Sequence, residues 1–272
     1  MKDNIIEAEI VKKPVVIFIA YDANNAEHAR KFKNSLRKFH SEKELPLYEV
    51  TGEELETFTK GDPMFFYRQK PVIASRLIKE YELVIGMDVD QIVTGDLSYI
   101  WKTKDYDVGT VINWNRVDPG VFGVVQGAGI LPIEYFNCGL VAMRSEAFIK
   151  NWLNVCLQPQ FDRLQYKEQD ILNYICYYGN YNVRCFDHGD GPAKMNSWWG
   201  IFGKGEYPRA KMVGDDIVIP KGEGDTPFPP IDIKLNVLHW GGGNDPQKGN
   251  YRNMFQDEVI KRLDYLVSDE KK

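Results

Sequence analysis

The strongest constraint on the fold is the way strand-like and helix-like runs take turns in the first half of the chain. "PVVIFIA" (Pro14 to Ala20) is short, apolar and rich in β-branched residues; polar "YDANN" follows it, and then "AEHARKFKNSLRKF", which reads as a helix. "LPLYEV" (Leu45 to Val50) reads as a second strand, and "FYRQKPVIASRLIKEY" as a helix with Pro71 near its first turns, where proline costs least. "ELVIGMD" is a third strand. "YDVGTVI" and "YFNCGLVAM" predict two more, and "SEAFIKNWLNVCL", N-capped by Ser145, and "KEQDILNYICYY" predict helices. Such alternation predicts an α/β fold, a mixed and mainly parallel sheet flanked by helices. From about Phe186 to Asp232 glycine and proline accumulate, which predicts a long irregular, substrate-facing segment. "IKLNVLHW" predicts one last strand. "NMFQDEVIKRLDYLV" predicts a closing amphipathic helix with Phe255, Val259, Leu263 and Leu266 near one face.

At 272 residues, 43% of them hydrophobic, the chain has ample material for one large core, and no run is long and apolar enough to span a membrane. The charged start "MKDNIIEAEIVKKPVV" lacks the apolar centre of a secretory signal. Cys138, Cys156, Cys176 and Cys185 form no CxxC pair, and no Asn-x-Ser/Thr acceptor occurs. These features predict a cytoplasmic protein. A net charge of −5 argues against a nucleic-acid partner, which needs a basic face.

The apolar run "ELVIG" ends in "MDVD", with Asp88 and Asp90 two positions apart. On an extended segment these side chains point the same way, and the carboxyl end of a strand is where open α/β sheets bind ligands. Two converging carboxylates call for a compensating divalent cation; the alternative is that they cap the following turn, "TGD".

At these residues the sequence resembles the metal-dependent GT-A glycosyltransferases, most closely the retaining family 8 group. The resemblance rests on "FIAYDANN", "YRQKPVIASRLIKEYELVIGMDVDQIVTGDL", "YFNCGLVAMR", "EQDILNYI" and "LHWGGG", in the family's order and over most of the chain. It implies a single GT-A-like domain over 1–272, with a nucleotide-sugar half at about 14–113, an acceptor half at about 114–250 and a C-terminal helix at about 253–267. It implies a Mn²⁺-dependent hexosyltransferase that moves a sugar from a nucleotide-diphosphate donor, UDP-sugar favoured, to a glycan or other hydroxyl acceptor with retention. Asp88, Asp90 and His239 would hold the metal, and Tyr21, Asp22 and Asn24 the base. Gly241 and Lys248 would approach the diphosphate, although Asp245 stands where the family often has a lysine. Gln169 and Asp170, beside Glu168 in "EQD", would act at the reacting carbon; they equally suit a helix N-terminus.

The chemistry is coherent in its own right. Carboxylates suit Mg²⁺ or Mn²⁺, and an added imidazole tilts the choice to Mn²⁺. Lys70 is either a cation over the donor or a solvated lysine at a helix start. Asn137 suits a sugar hydroxyl and Gly139 a close backbone approach; an ordinary bulged strand is the alternative. Trp198 and Trp199 in "NSWWG" suit stacking on an acceptor sugar or filling a core. His188 in "DHGDG" receives no assignment.

Two other readings use the same acids. "GMDVDQI" also resembles the nucleophile motif of haloacid-dehalogenase-type phosphatases, with Asp88 attacking phosphorus, Asp90 as acid and base, and Asp215 and Asp216 as a second pair. That motif normally opens its domain, whereas here a βα unit and a further helix precede it. The third reading is a nucleotide-sugar binding protein without catalysis.

Overall fold

The computed structural model describes residues 11–59, 67–112, 135–159, 164, 166–186, 196–200, 210–220, 232–239, 252 and 255–269. Strands in chain order are β1 (Val16–Ala20), β2 (Leu47–Val50), β3 (Val84–Met87), β4 (Gln91–Val93), β5 (Val108–Ile112) and β6 (Phe136–Met143). Then come β7 (Val183–Cys185), β8 (Asn196–Gly200), β9 (Lys211–Val213), β10 (Asp216–Ile219) and β11 (Ile233–His239). The helices are α1 (Ala26–Phe39), α2 (Gly52–Thr59), α3 (Gln69–Leu77), α4 (Ser98–Lys102), α5 (Glu146–Cys156), α6 (Lys167–Tyr178) and α7 (Asp257–Val267).

The central sheet has the order β2-β1-β3-β6-β5-β7. β1 runs parallel to β2 and β3, and β5 parallel to β7, while β6 is antiparallel to both its neighbours. β1 explains why the sheet is covered on both sides. Val16 and Phe18 face a core shared with Ile73, Phe148, Trp152 and Leu172 of α3, α5 and α6, and Ile17 and Ile19 face another shared with Phe32 and Leu36 of α1. A strand buried on both faces must be apolar at every position, which is why "VIFI" does not alternate. Ser145 caps α5 as expected, its hydroxyl accepting from Phe148 N at 3.2 Å. Lys70 and Pro71 fall in the first turn of α3.

A second sheet has the order β4-β11-β10-β9, with β8 along the other side of β11; β11 is the strand predicted from "IKLNVLHW", while β8, β9 and β10 fall in the stretch from Phe186 to Asp232 that the sequence predicted to be irregular. Gly214, at φ +60, makes the β9–β10 turn in a conformation that side-chain-bearing residues rarely adopt. α7 buries Val259, Leu263 and Leu266 against this sheet, and Phe255 joins them, as its sequence pattern predicted. Phe39 packs on both the second core and this third one, so the two sheets belong to one folded unit. β6, from the proposed acceptor half, lies between β3 and β5 of the proposed nucleotide half.

Candidate metal and donor site

β3 belongs to the central sheet and β4 to the second, and the turn between them carries Asp88 and Asp90. The acids therefore converge through a turn at a junction of sheets, and not along an extended strand. Asp88 N donates to Gly139 O at 3.0 Å, which fixes the start of that turn. The antiparallel pairing of β4 with β11 sets Gln91 opposite His239 and so brings a residue about 150 positions distant beside Asp90. His239 Nε2 lies 3.0 Å from Asp90 Oδ1 and 3.7 Å from Asp88 Oδ2. One ligand atom from each of the three residues falls within 4.8 Å of the others. Two carboxylates and a buried imidazole at strand ends form a donor set that fits a divalent cation.

The charges are mutually dependent. Burial alone would push the His239 imidazole down, but Asp90 and Asp88 beside it together outweigh burial and hold the pKa above the usual histidine value. For Asp90, burial pushes upward and His239 pulls further downward, so its carboxyl lies below the usual range. Lys70 is buried, not solvated: Nζ is paired with Asp88 Oδ1 and donates to Cys138 O at 2.8 Å. Burial opposes its charge, but Asp88 holds its pKa above the usual lysine value. Lys70 comes from the start of α3, so that helix, β3 and β6 meet at Asp88.

"FNCG" forms the floor. Between Thr110 and Val111 the β5–β6 register slips, with Thr110 opposite Val141 and Val111 opposite Asn137, so the residues between bulge out of the ladder. The polar groups freed there are met by side chains. Thr110 Oγ1 lies 2.9 Å from Asn137 O and 3.0 Å from Leu140 O, and Gln169 Oε1 accepts from Cys138 N at 3.0 Å. Beside the bulge, Asn173, one turn along α6, accepts from Phe136 N at 2.7 Å and donates to Phe136 O at 2.9 Å. Gly139 is tightly enclosed: a Cβ there would stand 2.9 Å from His239 Cε1 and 2.8 Å from Asn137 Oδ1. Asn137 itself accepts from Gly139 N at 2.6 Å.

Of "EQD", Gln169 thus holds the bulge, and Asp170 accepts from Tyr135 Oη at 2.6 Å and Tyr166 N at 3.0 Å. Burial holds the Asp170 carboxyl above its usual pKa. Glu168 turns toward Cys138, with Oε1 3.8 Å from its Sγ, while Oε2 is sealed from solvent without a hydrogen-bond partner among the described residues. Burial pushes the Glu168 carboxyl up to about 8, with Lys70 resisting.

β1 is parallel to β3 with Phe18 level with Gly86, so the loop after β1 emerges on the same edge as Asp88. There Tyr21 donates to Glu49 Oε2 at 2.6 Å, and burial together with Glu49 pushes the phenol up to about 12. Asp22 Oδ1 accepts from Asn25 N at 3.1 Å and Asn25 Nδ2 at 2.8 Å, while Asn24 is exposed. Trp198 and Trp199 lie on β8, whose Gly200 is level with His239; their side chains lie outside the described residues. So do Gly241, Asp245, Lys248 and His188. Asp216, the first residue of β10, pairs with Lys234 at 2.8 Å and takes no part in the Asp88 cluster. Two nearby residues gave no sequence signal: His28 in α1, whose pKa burial lowers and Asp90 raises, and Gln91, directly after the second acid.

No protein-family model and no curated protein matches the sequence. Among solved structures the chain is similar to the apo form of WbbM, a bifunctional glycosyltransferase, with 16% identity and a TM-score of 0.52 over 96% of this chain and 51% of that one. It is also similar to galactosyltransferase LgtC in complex with donor and acceptor sugar analogues, with 18% identity, a TM-score of 0.43 and coverage of 62% and 72%. For mouse xyloside xylosyltransferase 1 the identity is 12%, the TM-score 0.43 and the coverage 64% and 85%. The chain spans about half the length of the WbbM chain. Among the described residues no helix is long and apolar enough to cross a membrane. The chain has the GT-A glycosyltransferase fold, a mainly parallel central sheet flanked by helices.

Proposed function

We propose that the protein is a metal-dependent glycosyltransferase that moves a sugar from a nucleotide-diphosphate sugar to a hydroxyl acceptor with retention. The observation that carries this reading is the cluster of Asp88, Asp90 and His239 at the carboxyl edge of β3, with the Lys70 ammonium already seated on Asp88. A divalent cation held by these three residues supplies positive charge against which a departing diphosphate is stabilised. Lys70 adds a second cation and orients Asp88, while the loop of Tyr21, Asp22 and Asn24, in which the Asp22 carboxylate accepts from Asn25, receives the base, a UDP-sugar being favoured. Asn137 and Gly139 meet the donor sugar. Gln169 and Asp170 act at its reacting face; their present hydrogen bonds fix the bulge and Tyr135 beside it. Gly241 and Lys248 approach the diphosphate, and Trp198 and Trp199 the acceptor. The reaction runs in the cytoplasm.

A thermal-shift screen of nucleotide sugars with Mn²⁺ tests this, because a ligand that binds only the folded chain raises its melting temperature by mass action. The reading predicts a shift that needs both metal and one donor. Equal midpoints with and without every donor would contradict it.

A further inference from the structure

Gln91 follows Asp90 directly, and its side chain is completely buried. Nε2 donates to Gly139 O at 2.9 Å, the same carbonyl that accepts Asp88 N–H. That bond decides the orientation of the amide, since only its nitrogen can face a carbonyl. The other end, Oε1, is sealed from solvent and accepts no hydrogen bond among the described residues. A buried acceptor in that state costs on the order of 1–3 kcal/mol, and such an atom calls for a donor in some state of the protein.

The neighbouring donor is His239, the cross-strand partner of Gln91. Its Cε1 and the Gln91 amide nitrogen lie 2.9 Å and 3.0 Å from one and the same point, the place a Gly139 Cβ would occupy. The bare Gly139 therefore lets imidazole and amide meet. His239 Nε2 faces Asp88 and Asp90, so a cation takes that nitrogen, and the ring proton then resides on Nδ1 and requires an acceptor.

We propose that Gln91 is a positioning residue of the cation site: with Nε2 anchored on Gly139 O, its Oε1 accepts Nδ1–H of His239 and holds the imidazole in the tautomer that presents a bare Nε2. The proposal rests on the assignment of Asp88, Asp90 and His239 as cation ligands. It explains why a glutamine is buried here at all: one amide ties Asp88, through the shared Gly139 carbonyl, to the strand that carries His239.

The test is titration calorimetry with Mn²⁺ alone on the full chain, comparing the parent with Gln91→Met and Gln91→Glu, and measuring the melting temperatures of the metal-free proteins. Gln91→Met keeps the length but not the acceptor, and is expected to weaken Mn²⁺ binding about 10–100-fold without a matching loss of metal-free stability. Gln91→Glu, measured at a pH at which its buried carboxyl keeps its proton, retains both a donor to Gly139 O and an acceptor oxygen and is expected to stay within about threefold of the parent. Parent-like affinity of Gln91→Met, or equal losses in both variants, would overturn the proposal while leaving the ligand assignment intact. If Gln91→Met does not fold, the comparison of Gln91→Glu with the parent decides in the same way: retained affinity supports the proposal, lost affinity overturns it. A parent that binds no Mn²⁺ overturns both the proposal and the ligand assignment.

Discussion

Titratable side chains of this site are held away from their ordinary behaviour by burial or by a neighbouring charge. Glu168 is the simplest, because burial raises its carboxyl to about 8. The folded chain then keeps a proton that the unfolded chain releases above about pH 4.5, so this residue's contribution is fully present below that pH and is lost as pH rises toward about 8. Glu168→Gln keeps the shape and removes the ionisation. Its melting temperature is expected to exceed the parent's at pH 8 by the equivalent of roughly 1–3 kcal/mol, and to match it at pH 5. Equal pH profiles for the two proteins would refute the burial argument. His239 works in the opposite direction for ligand binding. Its pKa is raised by Asp90, so a proton competes with a cation for Nε2 from above the ordinary histidine value of about 6.5 downward. Mn²⁺ affinity measured by calorimetry is expected to fall with falling pH, approaching about tenfold per pH unit below that raised value. In the metal-free protein, the His239 contribution to stability is present below about pH 6.5 and lost as pH rises through the folded pKa. The Asp90 contribution is present above about pH 3.9 and lost as pH falls through its depressed pKa. Gly139→Ala tests the closeness of the floor, since its Cβ would meet His239 Cε1 at 2.9 Å. Lost Mn²⁺ binding is expected, and an unchanged affinity would show that the ring can move aside.

At the scale of elements, the bulge in β6 and helix α6 form one device. The helix places Gln169 and Asn173 one turn apart on the face that meets the strand; Gln169 satisfies Cys138 N inside the bulge, and Asn173 satisfies Phe136 beside it. Asn173→Ala leaves the N–H and C=O of Phe136 without these partners and is expected to destabilise the fold by roughly 2–4 kcal/mol in urea denaturation. A loss under about 0.5 kcal/mol would mean that the strand finds other partners. This coupling was only partly legible in the sequence. "KEQDILNYICYY" gave α6 with correct limits, and "YFNCGL" gave the strand with a bulge as one reading. The pairing of Gln169 with Cys138 N depends on a register slip that no local pattern encodes. The same holds for Asp88 and Asp90: their convergence was legible, but the means, a turn between two sheets, depends on β4 pairing with β11, and β4 is too short to register as a strand. β8, β9 and β10 are also short, and their glycine- and proline-rich surroundings read as irregular chain.

For the whole molecule, the α/β alternation fixed the class because strands buried on both faces must be continuously apolar and helices must cover them. Of the second sheet only β11 was legible as a strand; its pairing with β4, which carries His239 to the acids, was not. Gln91 was equally invisible, since a lone glutamine after two aspartates has no signature until Gly139 and His239 are placed around it. The account predicts that sheet junction and cation site stand or fall together as one catalytic centre. The most direct measurement is the release of nucleoside diphosphate from candidate nucleotide sugars by the parent and by Asp90→Asn, with Mn²⁺ and with a chelator. The account predicts release by the parent with one donor, faster when a hydroxyl acceptor is present, and its loss both in Asp90→Asn and with the chelator. Release that persists in Asp90→Asn, or hydrolysis of simple phosphate monoesters through an aspartyl-phosphate at Asp88, would contradict it.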